Sequence, residues 1–206
     1  LEVARRQFRA LVLAWARVDF VRFGPVTQNN RLERILFWPD RKGTGLKQVQ
    51  ALLASKDESA ANFITLRDKS VALQGLGALE FVLYGTGADT LLTDEGAFRC
   101  RYGVAIAAGL GQTVQEIIHA WEDPADMVAG LQHPAADHPL YRNETEALEA
   151  VIGVFPHGIE LLRDTRLVPF MGTDADHAAP KAALFWRSGL SIPMLAAGFQ
   201  GMADFF

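Results

Sequence analysis

One carboxylate stands inside a stretch that is otherwise almost wholly apolar: Glu80 within Ser70–Gly85 (SVALQGLGALEFVLYG). Wound as a helix, this stretch is apolar on nearly every side, which is typical of a helix at the centre of a bundle. A buried carboxylate must contact a cation, a metal ion or hydrogen-bond donors, or stay protonated. Glu80 is therefore the first candidate binding residue. Gly75 and Gly77, poor helix formers just before it, predict close packing against the backbone there.

A second group of polar side chains lies near the end of the chain. Arg187, Ser188 and Ser191 fall within about one turn of a helix predicted over Pro180–Phe206. Hydroxyl groups and a guanidinium are suitable partners for a buried carboxylate. We therefore predict that these three residues line a polar pocket that faces Glu80.

Ser70, Trp38 and Asp40 are further candidates for the lining of this pocket. A site of carboxylate and hydroxyl groups suits a hard cation better than a soft one. One hypothesis is therefore that Glu80 binds a divalent or ferric cation, and the other is that the pocket binds a small organic ligand. No residue is predicted to be catalytic, because the chain has neither an HExxH pair nor a nucleophile elbow.

Each of these residues also has a structural interpretation. The two serines could bond back to carbonyls of their own helix, and Trp38 could fill the core beside a turn. Glu80 could form a buried salt bridge with an arginine. The available partners are Arg22, Arg99, Arg101 and Arg187, and we expect Arg187 first.

The composition excludes several classes of protein. The chain has 206 residues and half of them are hydrophobic, which is enough for a real core. Its net charge of −4 argues against a nucleic-acid partner, because there is no basic surplus to neutralise phosphates. A single cysteine, Cys100, excludes an intramolecular disulfide and a cysteine zinc cluster.

Helical periodicity runs through most of the chain, and no stretch alternates apolar and polar residues for long enough to form a sheet. We predict an all-α protein. The other predicted helices are residues 1–23, 45–55, 95–122 and a kinked one from Asn143, and the predicted loops are 124–142, with one helical turn at 125–131, and 168–179. A weak similarity between residues 70–84 and 188–206 suggests a duplication. We therefore predict two packed helical bundles, residues 1–122 and 123–206.

Several motifs, taken in their order along the chain, resemble those of the imelysin-like family. They are RFGP (Arg22–Pro25), FWPD (Phe37–Asp40), the Ser70–Gly85 stretch, FRCRYGVAIAAGL (Phe98–Leu110), Trp121 and FWRSGLSIPML (Phe185–Leu195). The resemblance implies two four-helix-bundle halves in a bacterial protein linked to iron-regulated genes and first classed with metallopeptidases. It also implies export to the periplasm or attachment to the outer membrane by a lipid anchor, with native residues before Leu1 and after Phe206.

The family's signature on the central helix is Gly-x-His-x-x-Glu, and this chain departs from it. The matching residues run from Gly75 to Glu80, and Gly77 stands at the histidine position. A histidine and a glutamate three residues apart lie on one helix face and could share a metal, whereas glycine supplies no side-chain ligand. We therefore expect an exported protein that binds a small ligand or cation through Glu80. The alternatives are a metallopeptidase and a structural envelope module with a buried Glu80–arginine pair.

Overall fold

The computed structural model of the protein describes residues 1–40, 42–123, 127–172 and 174–206. These ranges contain helices and no strand, which confirms the all-α prediction. The α-helices are α1 (Glu2–Ala16), α2 (Arg31–Ile35), α3 (Thr44–Ser55), α4 (Phe63–Arg67), α5 (Gly75–Tyr84), α6 (Ala97–Glu122), α7 (Met127–Gln132), α8 (Glu144–Ile152), α9 (Val154–Glu160), α10 (Val168–Met171) and α11 (Ser191–Phe205). A π-helical segment, Leu161–Leu167, joins α9 to α10. Residues 124–126 of the predicted 124–142 loop lie outside the described residues.

Helix α5 lies in the interior, with α6 packed along it. Every residue of α5 is buried except Gly77 and Tyr84, because its apolar side chains leave no face that favours water. Tyr102 of α6 donates from its hydroxyl to the carbonyl of Leu73 at 2.6 Å, just before α5 begins. None of the helices in the described ranges is both long enough and apolar enough to cross a membrane.

Two arginines bind the carbonyl groups at the end of α5. Arg99 donates to the carbonyls of Phe81 and Val82 at 2.8 and 2.9 Å. Arg5 donates twice to the carbonyl of Leu83, at 3.0 and 2.8 Å. The last carbonyls of a helix lack partners within the helix, so these guanidinium groups satisfy them and hold α5 in place. Arg99 is thus occupied here and is not the partner of Glu80.

The central helix begins later than its sequence predicts. Gln74 is extended, Gly75 has φ +76°, and the helix starts at Gly75 rather than at Ser70. A Cβ on Gly75 would lie 2.5 Å from the carbonyl oxygens of Arg34 and Ile35, so close packing is present at this glycine, as predicted. Ser70 instead accepts a hydrogen bond from the N–H of Ala72 at 3.3 Å and begins a short 3-10 turn.

The last predicted helix is also shorter than expected. Residues 184–189 form turns, with Phe185 at φ +59° and Gly189 at φ +70°, and α11 begins only at Ser191. Pro193 lies in the first turn of α11, where its missing N–H removes no helix hydrogen bond. Arg187 and Ser188 therefore lie before the helix, not on it.

Three other boundaries differ from the sequence-based prediction. The first helix ends at Ala16 rather than at residue 23, and the predicted loop at 168–179 begins with the helical turn α10. The helix from Asn143 breaks at Gly153, three residues before Pro156.

The main hydrophobic core draws side chains from most of the chain. Phe8 and Val12 of α1 belong to it together with Leu76 of α5, and so do Phe185 and Met194 near the end of the sequence. Residues from both predicted halves thus share one core. The division into 1–122 and 123–206 stays a prediction.

Candidate functional site

An open cleft of about 610 Å³ lies beside α5. Its size falls within the range of small-molecule sites. One wall is α5 itself, another is the segment leading into α3, and a third is the turn before α11. The lining residues used below are Trp38, Asp40, Gly77, Glu80, Phe81, Asp164, Thr165, Lys181, Trp186 and Arg187.

Glu80 is the buried acidic residue of this cleft, with only 5% of its surface exposed. Its Oε1 accepts two hydrogen bonds from Ser188, one from the backbone N–H at 2.9 Å and one from the hydroxyl at 2.7 Å. The N–H of Ser188 is free to donate because this residue lies in a turn, where no helix carbonyl competes for it. Within the described residues no hydrogen bond of ordinary geometry reaches Oε2, although the backbone N–H of Arg187 lies near enough to the carboxylate to favour its charged form. Oε2 is not sealed in the interior.

Burial raises the pKa of Glu80, and the two hydrogen bonds from Ser188, together with the charge and the backbone N–H of Arg187, only partly oppose it. Glu80 forms no salt bridge within the described ranges. The expected Glu80–Arg187 ion pair is therefore absent there, although Arg187 is close enough to act on Glu80 through its charge. The other suggested partners are bonded elsewhere, Arg22 to Asp19 and Arg101 to Glu58.

Arg187 lies over two aromatic rings of the cleft. Its guanidinium carbon is 4.5 Å from the ring centroid of Trp186 and 5.4 Å from that of Phe81. Lys181 shares the first of these rings, with Nζ 5.7 Å from the Trp186 centroid. Distances of this order allow favourable cation–π contacts, which hold both cations in place.

The structure places the remaining predicted residues in different ways. Trp38 lines the cleft, and its Nε1 donates to the carbonyl of Thr165 at 2.8 Å. Asp40 also lines it, while its Oδ2 accepts from the N–H of Leu46 at 3.1 Å. Ser191 donates to the carbonyl of Leu184 at 2.7 Å and is not a lining residue, and neither is Ser70, which is exposed. Glu80 and Ser188 are thus brought together, but Ser188 supports Glu80 without lining the cleft itself, and Ser191 and Ser70 lie apart from the cleft. Of the three residues predicted to line a pocket that faces Glu80, only Arg187 does so.

Gly77 opens onto the cleft. A Cβ built on it would have no atom within 4 Å outside its own helix backbone and chain neighbours, so the close packing predicted here is wrong. The backbone contact that the sequence suggested for both glycines exists only at Gly75.

The comparisons with known proteins identify the family. The family model described as Imelysin, Peptidase M75, matches residues 1–206. The chain belongs to the imelysin family. Among solved structures, an imelysin-like protein from Psychrobacter arcticum 273-4 matches with a TM-score of 0.73 and 20% identity. The match covers 97% of this chain and 57% of that one, so the chain spans little more than half of that relative. A comparison with curated proteins found no match.

The side chains of this imelysin do not fit a metal held by several protein ligands. In the part of the chain that the structure describes, no three His, Cys, Asp or Glu residues are grouped closely enough to hold a metal ion. Gly77 contributes no ligand beside Glu80, and Ser188 already occupies one oxygen of that carboxylate. A catalytic zinc site needs three protein ligands and an open position. The described side chains around Glu80 thus do not supply the three ligands of such a zinc site.

Sequence analysis of this imelysin missed Lys181 and Trp186 as residues of the site. The signal for Trp186 was its place beside Arg187, since a tryptophan next to an arginine is a common source of cation–π contacts. Lys181 follows a proline in a polar stretch, and nothing in its spacing connects it with a ring five residues later.

Proposed function

We propose that this imelysin binds a small organic ligand in the cleft and that Glu80 anchors it. The observation that carries the proposal is the state of the two carboxylate oxygens. Oε1 accepts two hydrogen bonds from Ser188, whereas Oε2 accepts none of ordinary geometry within the described residues and has only the backbone N–H of Arg187 nearby. Oε2 belongs to a side chain that lines a cleft of about 610 Å³. A polar atom held in this way at a concave, mostly apolar surface is typical of a ligand site.

The chemistry of Glu80 suits a ligand with a hydrogen-bond donor. In its ionised form Oε2 accepts from an N–H or O–H group, and in its protonated form the carboxyl group can donate instead. Because Glu80 is only 5% exposed, a hydrogen bond formed to it is stronger than one on the surface. Two bonds from Ser188 hold the carboxylate in one orientation, so little rotamer entropy remains to be lost on binding.

A cation at Glu80 is less well supported than an organic ligand. Hard cations take six or more oxygen ligands, and the described residues include no group of three or more His, Cys, Asp or Glu side chains that could hold a metal around Glu80. The positive charges of Arg187 and Lys181 in the same cleft also oppose a cation. A metallopeptidase would need a cluster of metal ligands, and a structural module would need a buried ion pair between Glu80 and an arginine. The contacts described here give neither alternative specific support.

Glu80→Gln tests this proposal. Glutamine keeps the shape of the side chain and an acceptor for Ser188, but places an amide where the free oxygen was. We expect small organic ligands found by ligand-observed NMR on the native protein to lose affinity by about tenfold or more in this variant, since a charge-assisted hydrogen bond is lost. Glu149→Gln, which changes an exposed carboxylate outside the cleft, is the control. Equal binding by both variants would exclude Glu80 as the anchor, and metal analysis of the same samples tests the cation hypothesis.

Export, a periplasmic or outer-membrane location, a lipid anchor and a link to iron uptake are proposals that rest on the family resemblance alone. Fractionation of cells producing the native protein tests the location. An iron-dependent change in its abundance tests the link to iron.

A further inference from the structure

The guanidinium of Arg187 makes no direct contact with an acidic group among the described residues, although its charge acts on the nearby Glu80. It forms no salt bridge and no side-chain hydrogen bond within the described residues, although a guanidinium carries five N–H donors. The same holds for the ammonium group of Lys181, which is held only over the ring of Trp186. Two cations that share one aromatic ring thus border the cleft with their donors unused.

The carboxylates of the cleft have other partners. Asp164 accepts from Arg163 at 2.6 Å, and Oδ2 of Asp40 accepts from the N–H of Leu46. Glu80 is bonded by Ser188. None of these acids neutralises Arg187 or Lys181 by direct contact, so the structure leaves room for an anion supplied from outside.

The rings that hold Arg187 also select the kind of contact it can make. A guanidinium over an aromatic face keeps its N–H groups directed outward in its own plane, and this fork matches the two oxygens of a carboxylate. Trp38, Phe81 and Trp186 add apolar surface on the cleft side. An apolar ligand body would pack against these rings and exclude water from the ionic contact.

We propose that the ligand of this cleft is a small aromatic carboxylate whose carboxylate group is bound by Arg187 and Lys181. This inference rests on the proposed function and names the class of ligand for the same cleft. A hydroxyl or amino group elsewhere on the ligand would donate to Oε2 of Glu80. A monoanion fits better than a phosphate dianion, because Asp40 and Glu80 lie in the same cleft and repel additional negative charge.

Four probes that share one ring separate these possibilities: phenylacetate, phenethylamine, 2-phenylethanol and phenyl phosphate. Binding is measured at low salt from shifts of the assigned amide signals of Gly77, Phe81 and Ser188 in ¹⁵N-labelled protein, with each probe up to about 10 mM, since ligands of this size often bind in the millimolar range. We expect phenylacetate to bind about tenfold or more tightly than the amine or the alcohol, and more tightly than the phosphate.

Arg187→Gln should weaken phenylacetate binding by about tenfold or more and leave 2-phenylethanol unchanged, because only the first probe uses the guanidinium. Arg101→Gln removes the same charge from an exposed pair with Glu58 and is the control. Lys181→Gln, at an exposed position, provides an independent test if the first variant does not fold.

The outcomes distinguish this inference from the proposed function. Tighter binding of the amine, the alcohol or the phosphate, or unchanged phenylacetate binding in Arg187→Gln, overturns the carboxylate assignment and leaves an organic ligand site in place. If none of the four probes shifts the amide signals of Gly77, Phe81 and Ser188 in the folded protein, the aromatic carboxylate assignment is wrong, while the separate comparison of Glu80→Gln with Glu149→Gln decides the proposed function.

Discussion

Asp19 and Glu80 are both deeply buried carboxylates, but the protein satisfies them in opposite ways. Asp19 is 2% exposed and forms salt bridges with Arg22 and with Arg166, the second at 2.6 Å. Glu80 is 5% exposed, and within the described residues its hydrogen bonds of ordinary geometry come from Ser188, with the backbone N–H of Arg187 nearby. Both oxygens of Asp19 are thus occupied by arginines, while one oxygen of Glu80 stays free beside a cleft.

This difference separates a structural acid from a binding one. The charge of Asp19 is neutralised by Arg22 and Arg166, and the buried Arg166 would be left without an anion in its absence, so Asp19 serves the fold. The charge of Glu80 is opposed by burial and meets no counter-ion in direct contact within the described ranges. Proteins tolerate such unfavourable groups mainly where a ligand uses them.

The largest effect is expected when the structural acid is neutralised. Asp19→Asn leaves Arg166, a buried side chain, without its anion, and should lower the free energy of unfolding by about 3–5 kcal/mol. Asp204→Asn, which breaks an exposed pair with Arg17, is the matched control and should change it by less than about 1 kcal/mol. Urea denaturation of both variants measures the two values. Similar losses in the two would show that burial does not distinguish these pairs.

The two glycines before Glu80 test the packed and the open side of its helix. Gly75→Ala forces a Cβ into φ +76° and against two carbonyl oxygens, and should destabilise the protein by about 2 kcal/mol or more. Gly77→Ala meets no atom within 4 Å and should stabilise it by roughly 0.5–1 kcal/mol, because alanine favours the helix. Thermal and urea unfolding compare the pair. Destabilisation by Gly77→Ala would mean that the cleft is closed at this point.

Periodicity and composition predicted the features that depend on many residues. The all-α fold, the long α6 and the buried surroundings of Glu80 follow from the spacing of apolar side chains. This pattern extends over many residues, so no single residue decides the prediction. Asn143 was also predicted to begin a helix, and its side chain accepts from the N–H of Glu146 at 3.0 Å.

Features set by single backbone conformations could not be predicted in the same way. The helix pattern extends over residues 180–206, but Phe185 adopts φ +59° and Gly189 φ +70°, and these two residues place Ser188 in a turn. Tertiary packing imposes a positive φ on Phe185, which no local preference of phenylalanine would suggest. Ser188 and Glu80 were both predicted to belong to the site, and they are in contact. The turn that brings them together was not indicated by the sequence.

The smallest effect concerns the stability contributed by Glu80 itself. Glu80→Gln should change the free energy of unfolding at neutral pH by less than about 1 kcal/mol, and any change should be a gain, because a neutral side chain avoids the penalty of a buried charge. Oε1 of glutamine still accepts both bonds from Ser188. A loss as large as that of Asp19→Asn would show that the two acids play the same structural role.

The stability of the wild type relative to Glu80→Gln should depend on pH in a defined direction. The pKa of Glu80 is raised in the folded protein above its ordinary value of 4.5, so its contribution to stability is fully present below pH 4.5 and is lost as the pH rises through the raised value. Wild type should therefore lose stability relative to Glu80→Gln between acidic and neutral pH.

Asp57 provides a control of opposite sign, because hydrogen bonds from Lys69 and Ser59 lower its pKa to about 2. The free energy of unfolding of the wild type should exceed that of Asp57→Asn above pH 3.8, the ordinary pKa, and this difference should disappear as the pH falls toward 2. Urea unfolding of the four proteins across this pH range measures both differences. If the stability of wild type relative to Glu80→Gln rose with pH, as it should relative to Asp57→Asn, the protein would stabilise the charged form of Glu80. The proposal that one oxygen of Glu80 is held free for a ligand would then fail.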